Sequence, residues 1–437
     1  MEPVLTALLV ASGGGALFRL LKWSNRSRRR AWREAAEANG IEVAAESTAF
    51  GFFHGLRGPL VGTPLTVDLR TEKYGAVITV LGFTHLRDLR LCGEGVLDRL
   101  VAGRDVQIGD AAFDFSYLIR GPAALAQATL DAATRDCVTA VFGGTLVFDV
   151  PQERRPGTHP PLPPVRVRAR AELAHGTLRL SLSGEQDDAQ RMGGVLRLVV
   201  ALAHRLVAPR DIVRALAENA RSDPLAGVRR QSLHTLCSAF RRSRLCDETL
   251  RAACDDPDDS VALAAAMERG GDGQATLLRL ATDSQEDGIA AAAMRALQPA
   301  PTLDQGVALL DEAVGNGRMR KACAALSCLA ALPDTTAAAR VEPLLLAILD
   351  WRDPETTVAA AQLLGRVGSP AAVLPLQEAA ARFSGAAPRA AARWAVGAIH
   401  ERLHGAAPGQ VSLAGDAAGE VSLADDAGGR LSMDEKD

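Results

Sequence analysis

The chain has 437 residues, 48% of them apolar, and a formal net charge of −3. This length exceeds one ordinary domain, and the apolar content is ample for buried cores, so the composition predicts two folded regions with tails. The near balance of charge argues against a general affinity for nucleic acid or for anionic membranes.

The seven cysteines are odd in number and scattered, and no Cys-x-x-Cys pair occurs. This usage is typical of reduced thiols in a cytosolic protein rather than of a disulfide framework or a metal site. We therefore expect a cytoplasmic protein with no cofactor.

The first 40 residues combine an apolar run with a basic cluster. Residues 4–18 are apolar except for Thr6 and Ser12, and five arginines lie within 26–33. The run is shorter than the roughly 20 residues that a spanning helix needs. However, the basic cluster follows the run, as in proteins whose remainder stays in the cytoplasm. Segment 1–40 is thus predicted to be an apolar and basic helix. Three roles stay open for it: a membrane anchor that contacts the inner face of the cytoplasmic membrane through residues 4–33, an interfacial helix, or a helix packed on the next domain.

The middle region, 41–206, alternates apolar and polar residues and predicts an α+β domain. The proline-rich stretch 154–164 should be an exposed connection. Helices are expected at Ala123–Thr139 and Asp187–Arg205. Strands are expected at Leu65–Leu69, Ala76–Leu81, Phe113–Ile119, Thr145–Val150, Val165–Ala171 and Thr177–Leu182.

The densest motif of this region is Gly109-Asp110-Ala-Ala-Phe113-Asp114-Phe-Ser-Tyr117. We interpret Gly109-Asp110 as a turn and the three aromatic residues, Phe115 included, as one face of a strand. Asp110 and Asp114 lack further oxygen ligands at loop spacing, so structural roles are favoured over cation binding. The motif resembles a pattern found in uncharacterised bacterial α+β domains.

Residues 207–404 repeat a short helical pattern. Asp223-Pro224, Asp256-Pro257 and Asp353-Pro354 are each followed, five residues after the aspartate, by a valine. Aspartate at an N-cap and proline at the first helical position favour a helix start. Weaker copies at Asp283-Ser284 and Asn316-Gly317 give spacings near 30 residues, which predict stacked helical hairpins.

The pattern, as it stands at Asp223–Leu236 and Asp353–Leu364, resembles the HEAT-like repeats of bacterial proteins, including the short repeats of bilin lyases. The resemblance implies an α-solenoid of about six helix pairs and binding more often than catalysis. We therefore predict a non-catalytic protein–protein interaction scaffold or adaptor. Two alternatives are a bilin-lyase-like or other ligand-modifying enzyme, and nucleic-acid binding along a concave face.

The expected partner is a protein with an acidic surface. Nucleic acid is not expected, because alanines such as Ala262 and Ala290 interrupt the basic stripe. The candidate contact residues are all basic: Arg229, Arg230, Arg241, Arg242, Arg320, Lys321, Arg389 and Arg393.

One literal catalytic signature occurs, His400-Glu401-Arg402-Leu403-His404, which spells the zinc-peptidase pattern. The charged Arg402 is unusual for that pattern, and the last helix is followed by no helix that could supply a third ligand. We interpret the match as chance and predict neither metal nor enzymatic activity.

The tail, 405–437, repeats every ten residues, with Val411-Ser-Leu413, Val421-Ser-Leu423 and Leu431-Ser-Met433, and it is rich in acidic residues. Its low apolar content predicts disorder. Two hypotheses stay open: copies of a linear motif that adds a strand to a partner's sheet, or a solubilising tail that arose by repeat slippage.

Overall fold

The computed structural model describes residues 26–49, 52–72, 75–93, 105–148, 165–184, 188–298, 300–330, 338–404, 411–413 and 421–423. An α+β domain with an antiparallel sheet precedes a helical region, as the sequence predicts. The chain divides into two compact units, Met1–Ala253 and Cys254–Asp437. The candidate anchor, 4–23, and the proline-rich connection lie outside the described residues. Within the described part, no helix is long and apolar enough to cross a membrane.

The described strands of the first unit form one antiparallel sheet in the order β1-β2-β3-β4-β9-β8-β5-β6, with β7 also paired to β8. Their bounds are β1 Ala45–Ala49, β2 Phe52–Pro59, β3 Thr66–Glu72, β4 Gly75–Leu81, β5 Arg90–Gly93, β6 Tyr117–Arg120, β7 Thr145–Phe148, β8 Val165–Ala174 and β9 Thr177–Ser183.

Strict alternation places one face of the sheet in the core. Leu178, Leu180 and Leu182 of β9 are buried, whereas Arg179 between them is exposed. Helices cover the buried face, and Trp32 packs against Phe53 with ring centroids 5.6 Å apart. The helices of this unit are α1 26–38, α2 Ala111–Ser116, α3 Ala123–Thr129, α4 Ala132–Phe142, α5 Ala189–Leu206, α6 Ile212–Ser222, α7 Ala226–Phe240 and α8 Arg244–Ala253.

The predicted strand Phe113–Ile119 is wrong in its first half. Asp110 accepts a hydrogen bond from the Phe113 amide and caps the short helix α2, so the chain becomes a strand only at Tyr117. Phe115 is consequently 66% exposed, while Phe113 and Tyr117 are buried. The three aromatic residues therefore do not share a strand face.

The predicted helix Ala123–Thr139 is two helices, α3 and α4. Asp131 accepts from the Thr134 amide at 2.8 Å and caps α4, which interrupts the helix after Thr129. An internal aspartate that caps a new helix is a common cause of such a break.

The second unit is helical between Asp259 and His404. Its helices alternate between two layers, which we call the odd layer and the even layer after the helix numbers. The odd layer contains α9 Asp259–Arg269, α11 Asp287–Ala296, α13 Met319–Ala330, α15 Pro354–Val367 and α17 Ala386–His404. The even layer contains α10 Gln274–Asp283, α12 Leu303–Gly315, α14 Ala338–Leu349 and α16 Val373–Arg382. Each odd-layer helix packs against the next one in its layer and against its hairpin partner. Small residues such as Ala290, Ala325 and Ala361 are fully buried and permit this close stacking.

One of the three Asp-Pro pairs starts a helix as predicted. Asp353 is the N-cap of α15 and accepts from the Thr356 amide at 2.8 Å, with Pro354 in the first turn. Asp223 and Asp256 instead lie in the turns before α7 and α9, whose N-caps are Leu225 and Asp258. The pattern thus locates the hairpin turns correctly and misplaces two helix starts by two residues.

Arginines bind the carboxyl ends of helices one hairpin earlier. Arg382 donates to the Leu349 carbonyl oxygen at 3.1 Å, and Arg402 donates to the Gly368 carbonyl oxygen at 2.5 Å. Arg366 donates to the Ala330 carbonyl oxygen at the end of α13. Each contact supplies a donor to a carbonyl that has no intrahelical partner at the helix end. It also places a positive charge at the negative end of the helix dipole, which is stabilising.

Two copies of the tail repeat form a short antiparallel ribbon, β10 Val411–Leu413 and β11 Val421–Leu423. Val411 pairs with Leu423, Ser412 with Ser422, and Leu413 with Val421. The other tail residues lie outside the described part, so their predicted disorder stays a prediction.

Candidate functional site: a groove beside Trp394

The structure separates the eight predicted contact residues into two groups. Arg229 is buried and donates to the Asp223 carbonyl oxygen at 2.9 Å. Lys321 is fully buried, pairs with Glu312 and lies 3.4 Å from the Thr282 carbonyl oxygen. These two therefore stabilise the fold and do not lie at an open surface. The other six are exposed: Arg230, Arg241, Arg242, Arg320, Arg389 and Arg393.

In the first unit, Asp223 belongs to a buried network of ion pairs. The Arg135 guanidinium donates to both carboxylate oxygens of Asp223, at 2.9 and 3.0 Å, and to Asp110 at 3.1 Å. Side chains of Arg135 and Asp223 are 5% and 1% exposed. Asp110 thus has the structural role that the sequence favoured, whereas Asp223 holds a cation of α4 instead of capping α7.

Gly109, just before α2, and Gly227, in α7, allow their backbones to make close contact. A Cβ atom on Gly109, whose φ is +91°, would overlap the carbonyl oxygen of Gly227, and a Cβ on Gly227 would overlap that of Gly109. The second aspartate of the motif, Asp114, accepts the Ile108 and Gly109 amides, each at 3.0 Å. The motif therefore packs α6 and α7 against the α+β domain. Both of its aspartates accept hydrogen bonds from other groups of the first unit.

The odd layer of the second unit contains a groove of about 610 Å³ that carries a large aromatic side chain. We call it the Trp394 groove. Helix α17 contributes Ala387, Ala390, Ala391 and Trp394, and the spacing of these residues places them on one helical face. Its other wall consists of Ala330 together with Val358, Gln362 and Arg366 of α15.

Trp394 is 53% exposed, although tryptophan is usually well buried in a folded protein. Its ring lies over Gly365 of α15, where an added Cβ would overlap the ring edge. The glycine therefore fixes the depth at which the indole lies. Alanines line the groove beside the half-exposed indole, so the groove offers an aromatic anchor in an apolar setting.

One arginine is among the residues that line this groove. Arg366 lines the groove, whereas Arg389 and Arg393 are exposed on α17 away from the helical face that Ala387, Ala390, Ala391 and Trp394 share. Arg393 also lines a second groove, of about 340 Å³, between α16 and α17. None of the eight predicted contact residues lines the Trp394 groove, and its central side chain is one that the basic pattern did not identify.

The odd-layer face also carries a thiol that is unsuited to catalysis. Cys323 of α13 lies with its Sγ 3.7 Å from a carboxylate oxygen of Glu355. Burial, together with the negative charge of Glu355, raises the pKa of Cys323, which keeps the thiol protonated at neutral pH. The nucleophilic form of a cysteine is the thiolate, so this position lacks the electropositive setting of a reactive cysteine.

The zinc-peptidase signature lies on α17 beyond the groove. His400 and Glu401 are exposed, and Arg402 is bound to the carboxyl end of α15. Among the described residues, no group of three or more His, Cys, Asp or Glu is arranged to hold a metal ion.

Comparison of the chain with protein-family models, with curated proteins and with solved structures finds no match. The proposals below therefore depend on the geometry and charge of this chain alone.

Proposed function

We propose that this protein is a non-catalytic interaction scaffold and that the Trp394 groove is its principal contact surface in the second unit. The helical hairpins are HEAT-like in this proposal, since their spacing and alanine-rich packing fit that repeat type. The observation that carries the proposal is a half-exposed tryptophan in an alanine-lined groove.

Tryptophan is highly buried on average in folded proteins, so a half-exposed indole is unusual at a surface. Tryptophan and arginine are the side chains most enriched among residues that dominate binding energy at interfaces. A groove with an aromatic anchor and with Gln362 and Arg366 among its lining residues matches the usual arrangement of an apolar interface centre with a polar edge.

The partner in this proposal is a protein segment with apolar and acidic side chains. Apolar groups would cover Trp394 and the alanines, and a carboxylate would pair with Arg366. Such pairs at the rim raise the association rate and weaken with salt. Binding should therefore be slower at high ionic strength.

The proposal is tested by photo-crosslinking in cells. A photoreactive amino acid at Gln362 lies in the Trp394 groove, whereas one at Gln377 lies in the second groove between α16 and α17. We expect Gln362 to yield a discrete crosslinked protein that is lost on Trp394→Ala, and Gln377 to yield none of it. The assignment would be refuted if both positions gave the same crosslinked protein. It would also be refuted if the yield from position 362 were unchanged by Trp394→Ala.

A further inference from the structure

We propose that Cys237 and Cys246 form a site of reversible oxidation, at which a peroxide converts the two thiols into a disulfide that ties helix α7 to helix α8. The inference goes beyond the scaffold function and does not depend on the Trp394 groove. Three observations support it: the contact between the two sulfur atoms, the helical faces that carry them and the short turn that joins the helices.

The two sulfur atoms are in contact inside the protein. The Sγ atom of Cys246 lies 3.6 Å from the Sγ atom of Cys237, and neither residue is in a disulfide. Cys237 is 3% exposed and Cys246 is 0% exposed. A disulfide has a sulfur–sulfur length of about 2.0 Å. The bond therefore needs only a short approach of two atoms that already touch, on side chains that each have one rotatable bond between Cα and Cβ.

Helical spacing brings both thiols to the same place. The buried residues of α8 recur at intervals of three and four and share one helical face: Cys246, Thr249, Leu250 and Ala253. On α7, Cys237 follows the buried Leu233 by four residues and lies on the buried face of that helix. The thiols therefore meet where the buried faces of the two helices contact each other.

A short turn holds the two helix ends together. Residues 241–243 connect α7 to α8. The Ser243 amide donates to the Phe240 carbonyl oxygen at 2.9 Å, and the Cys246 amide donates to the Ser243 carbonyl oxygen at 2.9 Å. Because the turn is fixed by these hydrogen bonds, the thiols lie side by side before any bond forms, and groups held in this way react at a high effective concentration.

The oxidation balances with hydrogen peroxide as the oxidant. The sulfur of Cys237, the less buried residue of the pair, loses its proton to water and attacks a peroxide oxygen; the O–O bond breaks, and the leaving hydroxide takes up a proton. The sulfur of Cys246 then attacks the sulfenic sulfur, the S–O bond breaks, and the departing oxygen leaves as water with the Cys246 proton. The two thiols lose two electrons and two protons in total, and one peroxide becomes two water molecules.

The disulfide closes a loop that contains a basic turn. Arg241 and Arg242, two exposed residues among the predicted contacts, lie between the cysteines. Closing the loop restricts the unfolded chain, so the oxidised protein should resist unfolding of α7 and α8 more than the reduced protein does. Peroxide thus stabilises this hairpin, and a thiol reductant reverses the change.

The test treats purified, reduced full-length protein with hydrogen peroxide, blocks the remaining thiols with N-ethylmaleimide and digests the product with trypsin. We expect peptide 231–241 joined to peptide 245–251 through their cysteines. This linkage should exceed every other cysteine pairing by at least about tenfold, because its sulfur atoms are in contact, and dithiothreitol should release it. Cys254→Ser, at another buried cysteine, is the matched control and should leave the yield within about twofold.

A second measurement on the same wild-type protein needs no variant to fold. The urea midpoint of the first unit should rise on oxidation and return to its starting value with dithiothreitol. Three results would overturn the inference: no linked peptide, a linkage no more abundant than other pairings, or a linkage that appears only after urea has unfolded the protein. Each of them leaves the scaffold proposal intact, since crosslinking at Gln362 involves neither cysteine.

Discussion

At the scale of single residues, buried charges carry the strongest constraints. Arg135 and Asp223 are both almost fully buried and bonded to each other through two hydrogen bonds. Removing one member of such a pair leaves the other charge buried without compensation, which typically costs about 3–5 kcal/mol.

Arg135→Met should therefore destabilise the first unit by several kcal/mol and loosen α6 and α7. The measurement is amide hydrogen exchange over residues 212–240 together with the urea midpoint. Arg210→Ala is the control, because its partner Asp131 is partly exposed and the pair should be worth under about 1 kcal/mol. Equal destabilisation by Arg135→Met and Arg210→Ala would contradict the role given to the buried Arg135–Asp223 pair.

Lys321 and Glu312 give a pH-dependent prediction. Burial alone would raise the pKa of Glu312, but Lys321, Asn316 and Arg318 lower it below the usual value. The stabilisation is therefore present above the unfolded-state pKa of about 4.3, and it is lost as pH falls through the lower folded-state pKa.

Glu312→Gln should lower the melting temperature of the second unit at pH 7, and the difference from wild type should shrink as the medium is acidified below about pH 4. Lys321→Met is expected to cost less than Glu312→Gln, since it removes the buried charge and keeps the packing. A pH-independent difference, or the opposite order of the two variants, would disprove this pairing.

Several residue roles could be read from the sequence, and others could not. The structural role of Asp110 and Asp114 follows from a local turn with too few ligands. The roles of Asp223, Arg229 and Lys321 depend on partners distant in the sequence, such as Arg135, 88 residues before Asp223. A basic residue in a repeat therefore looks like a contact residue until its burial is known.

At the scale of elements, helix ends determine where the chain turns. Asp353→Ala removes the N-cap of α15 and should cost about 1 kcal/mol. The change in stability is measured by denaturant unfolding of the full chain. Thr282→Ala, at an exposed position in α10, is the control and should have an effect within about 0.5 kcal/mol.

The depth of the groove depends on one glycine. Gly365→Ala should displace the Trp394 ring, because the new methyl group would occupy the position of the ring edge. We expect weaker partner binding and changed tryptophan fluorescence, whereas Gly397→Ala, at an open position on α17, should change neither. Unaltered binding in the Gly365 variant would mean that the seating of the indole is not important.

The sequence predicted strands and helical hairpins correctly where the apolar residues or the Asp-Pro pairs recurred at one regular spacing. Alternation located β3, β4, β8 and β9, and the Asp-Pro pattern located the hairpin turns. The prediction failed where a capping side chain overrode the pattern, as Asp110 and Asp131 do. The groove itself could not be predicted, because it depends on how deeply α17 packs against α15, and the basic pattern identified Arg389 and Arg393 without their neighbour Trp394.

At the scale of the whole molecule, the chain consists of two compact units. The first unit joins the α+β domain to α6 and α7 through the Arg135 network, and the second unit carries the Trp394 groove and the tail. Membrane contact through residues 4–33 stays a prediction. If residues 4–23 anchor the protein, deleting them should shift it from the membrane fraction to the soluble fraction. Recovery of both forms in the soluble fraction without salt or detergent would exclude the anchor.

The most direct test of the central claim is the affinity of the identified partner for Trp394→Ala compared with Leu374→Ala, measured by calorimetry. Both variants remove an exposed apolar side chain, and only Trp394 lies in the groove. We predict that the Trp394 variant binds at least about 30-fold more weakly, the loss expected of a dominant interface residue, while the Leu374 variant binds as wild type does. Equal affinities of the two variants would contradict the claim that this groove is the binding surface.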